Sequence, residues 1–205
     1  MKKALIIVDV QNDFCEGGNL EVRDGSKVIP FINKIQESNH YDLIVATRDF
    51  HPKNHKSFAS NNPGKKIGEL GELNGCPQVM WPDHCVQGSS GSEFHKDLHK
   101  NHINKTFTKG TNPEVDSYSA FYDNDHKVST GLAEWLRSRH VTDIEVVGLA
   151  LDYCVKATAL DALEEGFKTS VLLEGTKAVN LTSGDDQVAI EDLKRAGVRI
   201  VGDLL

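Results

Sequence analysis

The chain of 205 residues has few cysteines and no long apolar run. Its four cysteines are widely spaced, unlike the dense cysteine framework of a small secreted domain held by disulfides. No apolar run reaches the ~18 residues of a membrane-spanning helix, and the N-terminal run stops at Asp9. That run is shorter than the ~7–15 residues in the apolar core of a signal peptide. We therefore expect a reduced, cytoplasmic protein without a membrane partner.

Positive charge is also scarce, because 23 lysines and arginines face 30 aspartates and glutamates for a formal net charge of -7. A nucleic acid or an anionic membrane surface requires a basic face on its partner. The composition therefore excludes both as expected partners. A Gly-rich phosphate loop and a Gly-x-Ser-x-Gly elbow are likewise absent, which argues against nucleotide binding and serine hydrolysis.

Apolar residues make up 39% of the chain, enough for a sizeable core, and many lie in runs rich in Ile and Val. Runs that are continuous rather than alternating are typical of parallel strands buried on both faces. Stretches with apolar residues at helical spacing separate them. We predict one α/β domain over residues 1–205, a doubly wound six-stranded parallel sheet with helices on both faces. The predicted strands are 3–10, 42–48, 104–108, 143–149, 168–173 and 198–201, and the predicted helices are 27–38, 130–139, 153–165 and 184–196.

Several residues mark the expected ends of these helices. Gly166 and Gly197 occupy positions typical of C-terminal caps. Ser183 with Asp186 predicts an N-terminal capping pair. Asp152 is a further candidate N-cap, for the helix that follows the fourth strand.

Residues 50–102 break the alternation of strands and helices. This segment holds six of the nine histidines together with many Asn and Gly residues. Long irregular segments in compact domains are usually functional or disordered. Phe58, Met80 and Trp81 within it argue for partial burial. We therefore predict a long loop region that binds a metal and a substrate.

Reactive side chains follow each of the first four predicted strands. Asp9 lies at the end of the first strand, Asp49 and His51 follow the second, Lys109 follows the third and Cys154 follows the fourth. Open parallel sheets bind their ligands outside the carboxyl ends of the strands. Taken singly, each residue also has an ordinary structural role: Asp9 in a turn, Lys109 on a solvated surface and Cys154 in an apolar core. Together they predict a site in which a carboxylate, a metal-type pair, an ammonium and a thiol converge.

Cys154 has the sequence environment of an activated nucleophile. With Asp152 as N-cap, its thiol lies in the first turn of a helix, where the helix dipole favours the thiolate. A carboxylate base and an ammonium beside such a thiol complete a nucleophile set. Asp9 and Lys109 are the candidates for these two groups.

Asp49 and His51 offer one oxygen and one nitrogen ligand on the same side of an extended segment. His84 can supply a third ligand. An Asp/His/His set with an open position suits Zn²⁺, Fe²⁺ or Mn²⁺. His55 and Ser57 remain open as a fourth ligand.

These motifs together resemble the nicotinamidase branch of the isochorismatase-like cysteine hydrolases. The resemblance extends from Asp9 to the last strand. It implies an isochorismatase-like six-stranded parallel sheet and the hydrolysis of nicotinamide to nicotinate and ammonia, in NAD salvage, with pyrazinamide as a further substrate. The matching blocks are Asp9-Val-Gln-Asn-Asp-Phe14, Arg48-Asp49-Phe50-His51-Pro52, Trp81-Pro82-Asp83-His84-Cys85-Val86, Lys109-Gly110 and Asp152-Tyr153-Cys154-Val155.

The resemblance also implies a role for each site residue. One divalent metal ion, Zn²⁺ in the first place and otherwise Fe²⁺ or Mn²⁺, would hold the pyridine nitrogen of the substrate. A cis peptide bond would precede Ala150. The implied groups are a triad of Asp9, Lys109 and Cys154, metal ligands Asp49, His51 and His84, an oxyanion hole from the amides of Ala150 and Cys154, and a ring pocket of Phe14, Trp81 and Tyr118.

Two other functions remain open at this stage. A sister amidase acting on a ureido or N-carbamoyl compound would use the same triad. A non-catalytic, metal-stabilised binding module would be expected to lack at least one triad residue. A homo-oligomer is also an open expectation, because enzymes of this size and class occur both as monomers and as oligomers.

Overall fold

One parallel sheet is the framework of the protein, in a computed structural model that describes residues 2–204. Its six strands lie in the order β5-β2-β1-β6-β7-β8. Each neighbouring pair is parallel. The strands, numbered along the chain with a separate hairpin of β3 and β4, are β1 (Lys2–Val8), β2 (Leu43–Asp49), β3 (Leu70–Leu73), β4 (Cys76–Val79), β5 (Lys105–Lys109), β6 (Val141–Leu149), β7 (Lys168–Lys177) and β8 (Arg199–Val201).

Continuous apolarity did indicate strands buried on both faces. In β1 every residue from Ala4 to Val8 is fully buried. Leu5 and Ile7 belong to one apolar cluster and Ile6 and Val8 to another, so the two clusters lie on opposite faces of the sheet. The six-stranded parallel sheet is therefore confirmed. Strand β7 runs four residues beyond its predicted end, past an irregularity in its pairing with β6.

Helices cover both faces of the sheet. Val28, Ile29 and Ile32 of α1 join the cluster that contains Leu5. The other three helices contribute their buried apolar residues to the opposite cluster. No helix within residues 2–204 has the length and apolar character needed to cross a membrane. The helices are α1 (Val28–Gln36), α2 (Leu132–Arg137), α3 (Lys156–Glu164) and α4 (Asp185–Ala196).

The segment 50–102 is less irregular than its composition indicated. It contains the antiparallel hairpin of β3 and β4 and short 3₁₀ turns at Ala59–Asn61 and Ser90–Ser92. The hairpin turns at Asn74 and Gly75, which both have a left-handed backbone (φ 52° and 81°). Asn-Gly is the sequence signal of such a turn, so the hairpin was predictable but missed.

Two predicted N-terminal caps were wrong. Helix α4 begins after Gly184, and Asp185 rather than Asp186 accepts a hydrogen bond from the Thr182 amide (2.9 Å). The side chain of Asp152 accepts bonds from the amides of Val179 and Asn180 (both 2.9 Å) instead of capping a helix. Asp152 therefore anchors the chain that leaves β7.

Both predicted C-terminal glycines do end helices. Gly166 (φ 86°) follows α3 and Gly197 (φ 103°) follows α4, each in the left-handed conformation. The amide of Phe167 closes the end of α3 on the carbonyl of Ala162 (3.0 Å).

Gly148 marks a point in the sheet at which a side chain would collide with backbone atoms. Gly148 has φ 115°, and a Cβ there would lie 2.0 Å from the carbonyl oxygen of Val8. We expect Gly148→Ala to lower the free energy of unfolding by about 3 kcal/mol or more, because backbone atoms of β1 and β6 must separate. The measurement is urea unfolding followed by circular dichroism.

Gly131→Ala is the matched control. Gly131 also has a left-handed φ (82°), but no atom lies within 4 Å of its Cβ position. This substitution should cost only the conformational strain of about 1–2 kcal/mol. Equal losses for the two variants would contradict the steric explanation.

Candidate active site

The carboxyl edge of the sheet gathers the four reactive groups that follow its strands. Asp9 comes directly after β1, Asp49 ends β2, Lys109 ends β5, and Cys154 lies beyond β6 in a π-helical turn, Leu151–Val155. All four residues are at least 94% buried. Donor atoms of Asp9, Asp49 and Cys154 lie within 4.8 Å of one another. The edge therefore places two carboxylates, an ammonium and a thiol in one enclosed space.

Lys109 lies at the centre of this group. Its Nζ is 2.8 Å from Asp9 Oδ2 and 3.5 Å from Cys154 Sγ, and it also donates a hydrogen bond to Asp49 Oδ1. A further bond goes to the carbonyl of Ser117 (2.8 Å). Burial opposes the charged amine, but the carboxylates of Asp49 and Asp9 outweigh it and hold the pKa of Lys109 well above its usual value.

Asp9 and Cys154 form a base and a protonated thiol. Burial, reinforced by the charge of Asp49 and opposed by Lys109, raises the pKa of Asp9 to about 6. Burial also raises the pKa of the Cys154 thiol well above its usual value, despite Lys109. The thiol therefore needs a base, and the Asp9 carboxylate is charged at neutral pH. The Thr47 hydroxyl donates a hydrogen bond to Asp9 Oδ1 (2.7 Å).

Asp49 also faces two histidines with its other oxygen. Asp49 Oδ2 is 3.6 Å from His51 Nε2 and 3.9 Å from His84 Nε2. Each ring makes its second contact with a carbonyl, His51 Nδ1 with Gly110 (2.8 Å) and His84 Nδ1 with Pro82 (2.8 Å). A carbonyl oxygen can only accept a hydrogen bond, so Nδ1 of each ring carries a hydrogen and Nε2 is the atom that faces Asp49.

The donor set fits a divalent metal ion. The buried Nε2 of His51 has no hydrogen-bond partner, which is the arrangement expected of a metal ligand. Burial and His51 lower the pKa of His84 to about 4, so its imidazole is neutral. Burial disfavours the charged form of Asp49, but Lys109 and the histidines outweigh it and hold the pKa of this carboxyl below its usual range. A carboxylate and two imidazoles suit zinc, iron or manganese.

His55 and Ser57 do not join this set. Both are fully buried, and His55 Nδ1 lies 2.7 Å from Ser57 Oγ. The ring of His55 packs 4.4 Å from that of His51. Its donor atoms group with His51 and Asp116 rather than with Asp49 and His84. Asp116, buried and bonded to Ser117 and Gln78, carried no sequence signal.

Backbone hydrogen bonds hold the loop region 50–102 together beside the end of β2. The amide of His51 donates to the carbonyl of Cys85 (3.0 Å), and the amide of Gln87 donates to the carbonyl of His51 (2.8 Å). This pairing of residue 51 with residues 85–87 places His84 beside His51. The segment 9–14 also fixes the position of Asp49. Gln11 accepts a hydrogen bond from the amide of Asp49 (2.8 Å) and donates one to its carbonyl (2.8 Å).

A cavity opens onto Asp49, His84 and Cys154. The three aromatic residues predicted for a ring pocket line it. Tyr118 Oη accepts a bond from Trp81 Nε1 (3.1 Å), and the ring of Tyr153 contacts Trp81 edge-on at 4.8 Å. Leu20, Asp116, Tyr153 and Val179 were not predicted. The full lining is Phe14, Leu20, Asp49, Trp81, His84, Asp116, Tyr118, Ala150, Tyr153, Cys154 and Val179.

Ala150 and Cys154 flank the wall of this cavity that carries the thiol. The peptide bond between Leu149 and Ala150 is cis, as the resemblance implied. The carbonyl of Ala150 accepts bonds from the amides of Tyr153 (3.2 Å) and Val155 (3.0 Å). These bonds begin the π-helical turn that holds Cys154 at the cavity.

The sequence as a whole matches a known family. Residues 3–202 match the Isochorismatase domain. The chain belongs to the isochorismatase family. Within this family it is 44% identical over 200 residues to a nicotinamidase of Escherichia coli (strain K12), covering 97% of this chain and 93% of that protein.

Solved structures of the isochorismatase family agree with the fold. A nicotinamidase/pyrazinamidase structure from Acinetobacter baumannii superposes with a TM-score of 0.94 at 43% identity, covering 98% of this chain and 95% of that chain. A pyrazinamidase from Pyrococcus horikoshii in complex with zinc has a TM-score of 0.78 at 37% identity, covering 99% and 100%.

The buried hydroxyl of Thr47 donates a hydrogen bond to Asp9. Substitution by valine removes this hydroxyl with almost no change in the shape of the side chain. We expect Thr47→Val to lower the free energy of unfolding by about 1–3 kcal/mol, because a buried carboxylate oxygen loses its donor. Thr106→Val is the control, since Thr106 is exposed on β5; its effect should stay within about 0.5 kcal/mol. Urea unfolding measures both. A neutral Thr47→Val would show that Asp9 does not depend on this bond.

Proposed function

We propose that the protein hydrolyses nicotinamide to nicotinate and ammonia through a thioester on Cys154, as a step of NAD salvage in the cytoplasm. The observation that carries this proposal is the position of the Lys109 ammonium, 2.8 Å from Asp9 and 3.5 Å from the thiol. Cys154 of this nucleophile set lines the same cavity as Asp49 and His84 of the metal-type set. The likeness to the Escherichia coli nicotinamidase supports the same substrate.

The first half-reaction follows from the charges around Cys154. Asp9 removes the thiol proton, and Lys109 stabilises the thiolate as an ion pair. The sulfur attacks the carboxamide carbon, and the amides of Ala150 and Cys154 donate to the developing oxyanion. Each such donor contributes roughly 3 kcal/mol in comparable enzymes. Asp9 then returns the proton to the departing ammonia.

The second half-reaction reuses the same base. Once ammonia has left, Asp9 is a charged carboxylate again. It removes a proton from water, which attacks the thioester carbon and releases nicotinic acid, and the acid loses its proton to solvent to give nicotinate. The proton returns to the Cys154 sulfur, so the resting state is restored.

The pocket positions the ring of the substrate. Phe14, Trp81 and Tyr118 line the cavity, and a pocket walled by aromatic rings suits a single-ring amide. Asp49, His51 and His84 would hold one divalent metal, which supplies a Lewis acid for the pyridine nitrogen. We infer Zn²⁺ for this ion, with support from the zinc complex of the Pyrococcus horikoshii pyrazinamidase. Pyrazinamide carries a similarly placed ring nitrogen and is the expected second substrate.

A sister amidase acting on a ureido or N-carbamoyl compound is the second candidate. It would use the same triad, but the Asp49/His51/His84 set favours a substrate with an aromatic nitrogen. A non-catalytic binding module is disfavoured, because Asp9, Lys109 and Cys154 are all present and in mutual contact distance.

The decisive assay is ammonia release from nicotinamide by metal-replete enzyme. We expect wild type to turn over and Cys154→Ala to lose at least about 10³-fold in kcat, because no other group can form the thioester. Cys76→Ala is the matched control, since Cys76 lies outside the cavity on β4 and is also a free cysteine. It should keep wild-type activity.

Two outcomes would overturn this assignment. Persistent turnover by Cys154→Ala would contradict the thioester mechanism. Absence of turnover by wild type would contradict nicotinamide as substrate, and ureido and N-carbamoyl amides would then be assayed.

Removal of the metal gives an independent prediction. Chelator-treated enzyme should lose activity and recover it with Zn²⁺, Fe²⁺ or Mn²⁺. His84→Asn should weaken metal binding at least about 10-fold, as even outer-sphere substitutions do, whereas His99→Asn, at an exposed surface histidine, should not. Metal content after dialysis measures both variants. Equal metal content would remove His84 from the ligand set.

A further inference from the structure

A second cluster of metal-type donors lies on α3 and the segment that precedes α2. Donor atoms of His126, Asp161 and Glu164 all lie within 4.8 Å of one another. Asp161 and Glu164 are three residues apart on α3, so they share one face of the helix. This cluster has no residue in common with the Asp49/His51/His84 set.

The carboxylate of Asp161 is incompletely satisfied. Asp161 is only 6% exposed, and its Oδ2 is buried without a hydrogen-bond partner. A hydrogen bond from Ser119 and the charge of His126 partly offset the burial, which still raises the pKa of this carboxyl. A buried carboxylate oxygen without a partner is costly. A cation that contacts both oxygens of Asp161 would remove that cost.

His126 is held where it can share such a cation. Its backbone is left-handed (φ 56°), and its ring stacks on Tyr122 at 5.3 Å with an interplanar angle of 16°. The hydroxyl of Tyr122 in turn donates to Glu165 (2.5 Å). His126 Nε2 is 3.5 Å from Asp161 Oδ1, and the imidazole is 52% exposed. An ion from solvent can therefore reach it.

We propose that His126, Asp161 and Glu164 bind a second divalent cation of the zinc type. Zinc bonds to nitrogen and oxygen of about 2.0–2.2 Å place two tetrahedral ligands about 3.4 Å apart, close to the 3.5 Å between His126 Nε2 and Asp161 Oδ1. The two carboxylates neutralise the dication. A neutral imidazole is the third ligand, and water takes the fourth position.

The ion would join two parts of the chain that serve the cavity. The segment from Ser117 to His126 supplies the carbonyl that accepts from Lys109 and the ring of Tyr118. Helix α3 directly follows the turn that contains Cys154. The second cation is therefore structural, and it acts on stability rather than on the reaction.

Zinc content of the full-length enzyme tests the proposal. The protein is loaded with Zn²⁺ and then dialysed against a buffer that contains free Zn²⁺. Wild type should then hold two ions per chain, and His126→Asn should hold one. Asn tolerates the left-handed backbone, so this change removes the imidazole with little strain. Glu164→Gln, at an exposed carboxylate, should also hold one ion.

His140→Asn is the matched control, because His140 is also exposed and left-handed (φ 62°). It should keep two ions. Excess Zn²⁺ should raise the melting temperature of wild type and His140→Asn above that of His126→Asn. Equal zinc content in wild type, His126→Asn and Glu164→Gln would overturn the proposal and leave His126 and Asp161 as an ion pair only.

Discussion

The buried ammonium of Lys109 is the interaction on which the rest of the site depends. Removing a carboxylate from water costs several kcal/mol even after relaxation, and this site buries both Asp9 and Asp49. Lys109 contacts the two of them, so a single cation stabilises both carboxylates and one net negative charge remains. Asp49 faces Lys109 with one oxygen and the imidazoles with the other. The nucleophile and the metal-type set are therefore electrostatically one unit, although they come from different segments of the chain.

Much of this arrangement could be predicted because of the geometry of parallel strands. Strands that run in one direction end at one edge, so a residue placed just after a strand is also placed in space. Asp9, Asp49, Lys109 and Cys154 follow four strands in this way and do meet. The continuous apolar runs indicated the sheet itself, since strands buried on both faces have no polar side to display.

The remaining features depend on contacts between segments that have no local signature. Asp152 has the sequence position of a helix cap, but its carboxylate meets two amides 27 and 28 residues away. Asp116 enters the cavity from an irregular segment well beyond the end of β5, and Tyr153 enters it from the turn that also holds Cys154. His126 and Asp161 are likewise neighbours only because the chain between them passes through strand β6 and returns as α3. Pairing of side chains across such separations is set by packing, which a single sequence does not display.

The position of β5 in the sheet has a consequence for how activity and stability are related. This five-residue strand lies at the edge and pairs with β2 alone. It ends in Lys109, and the next residue, Gly110, supplies the carbonyl that orients His51. Local opening at an edge requires less free energy than global unfolding, and here it would withdraw the ammonium and reorient the imidazole in one movement. Local opening of this one short strand would therefore abolish activity, while the central strands β1 and β6 stay folded.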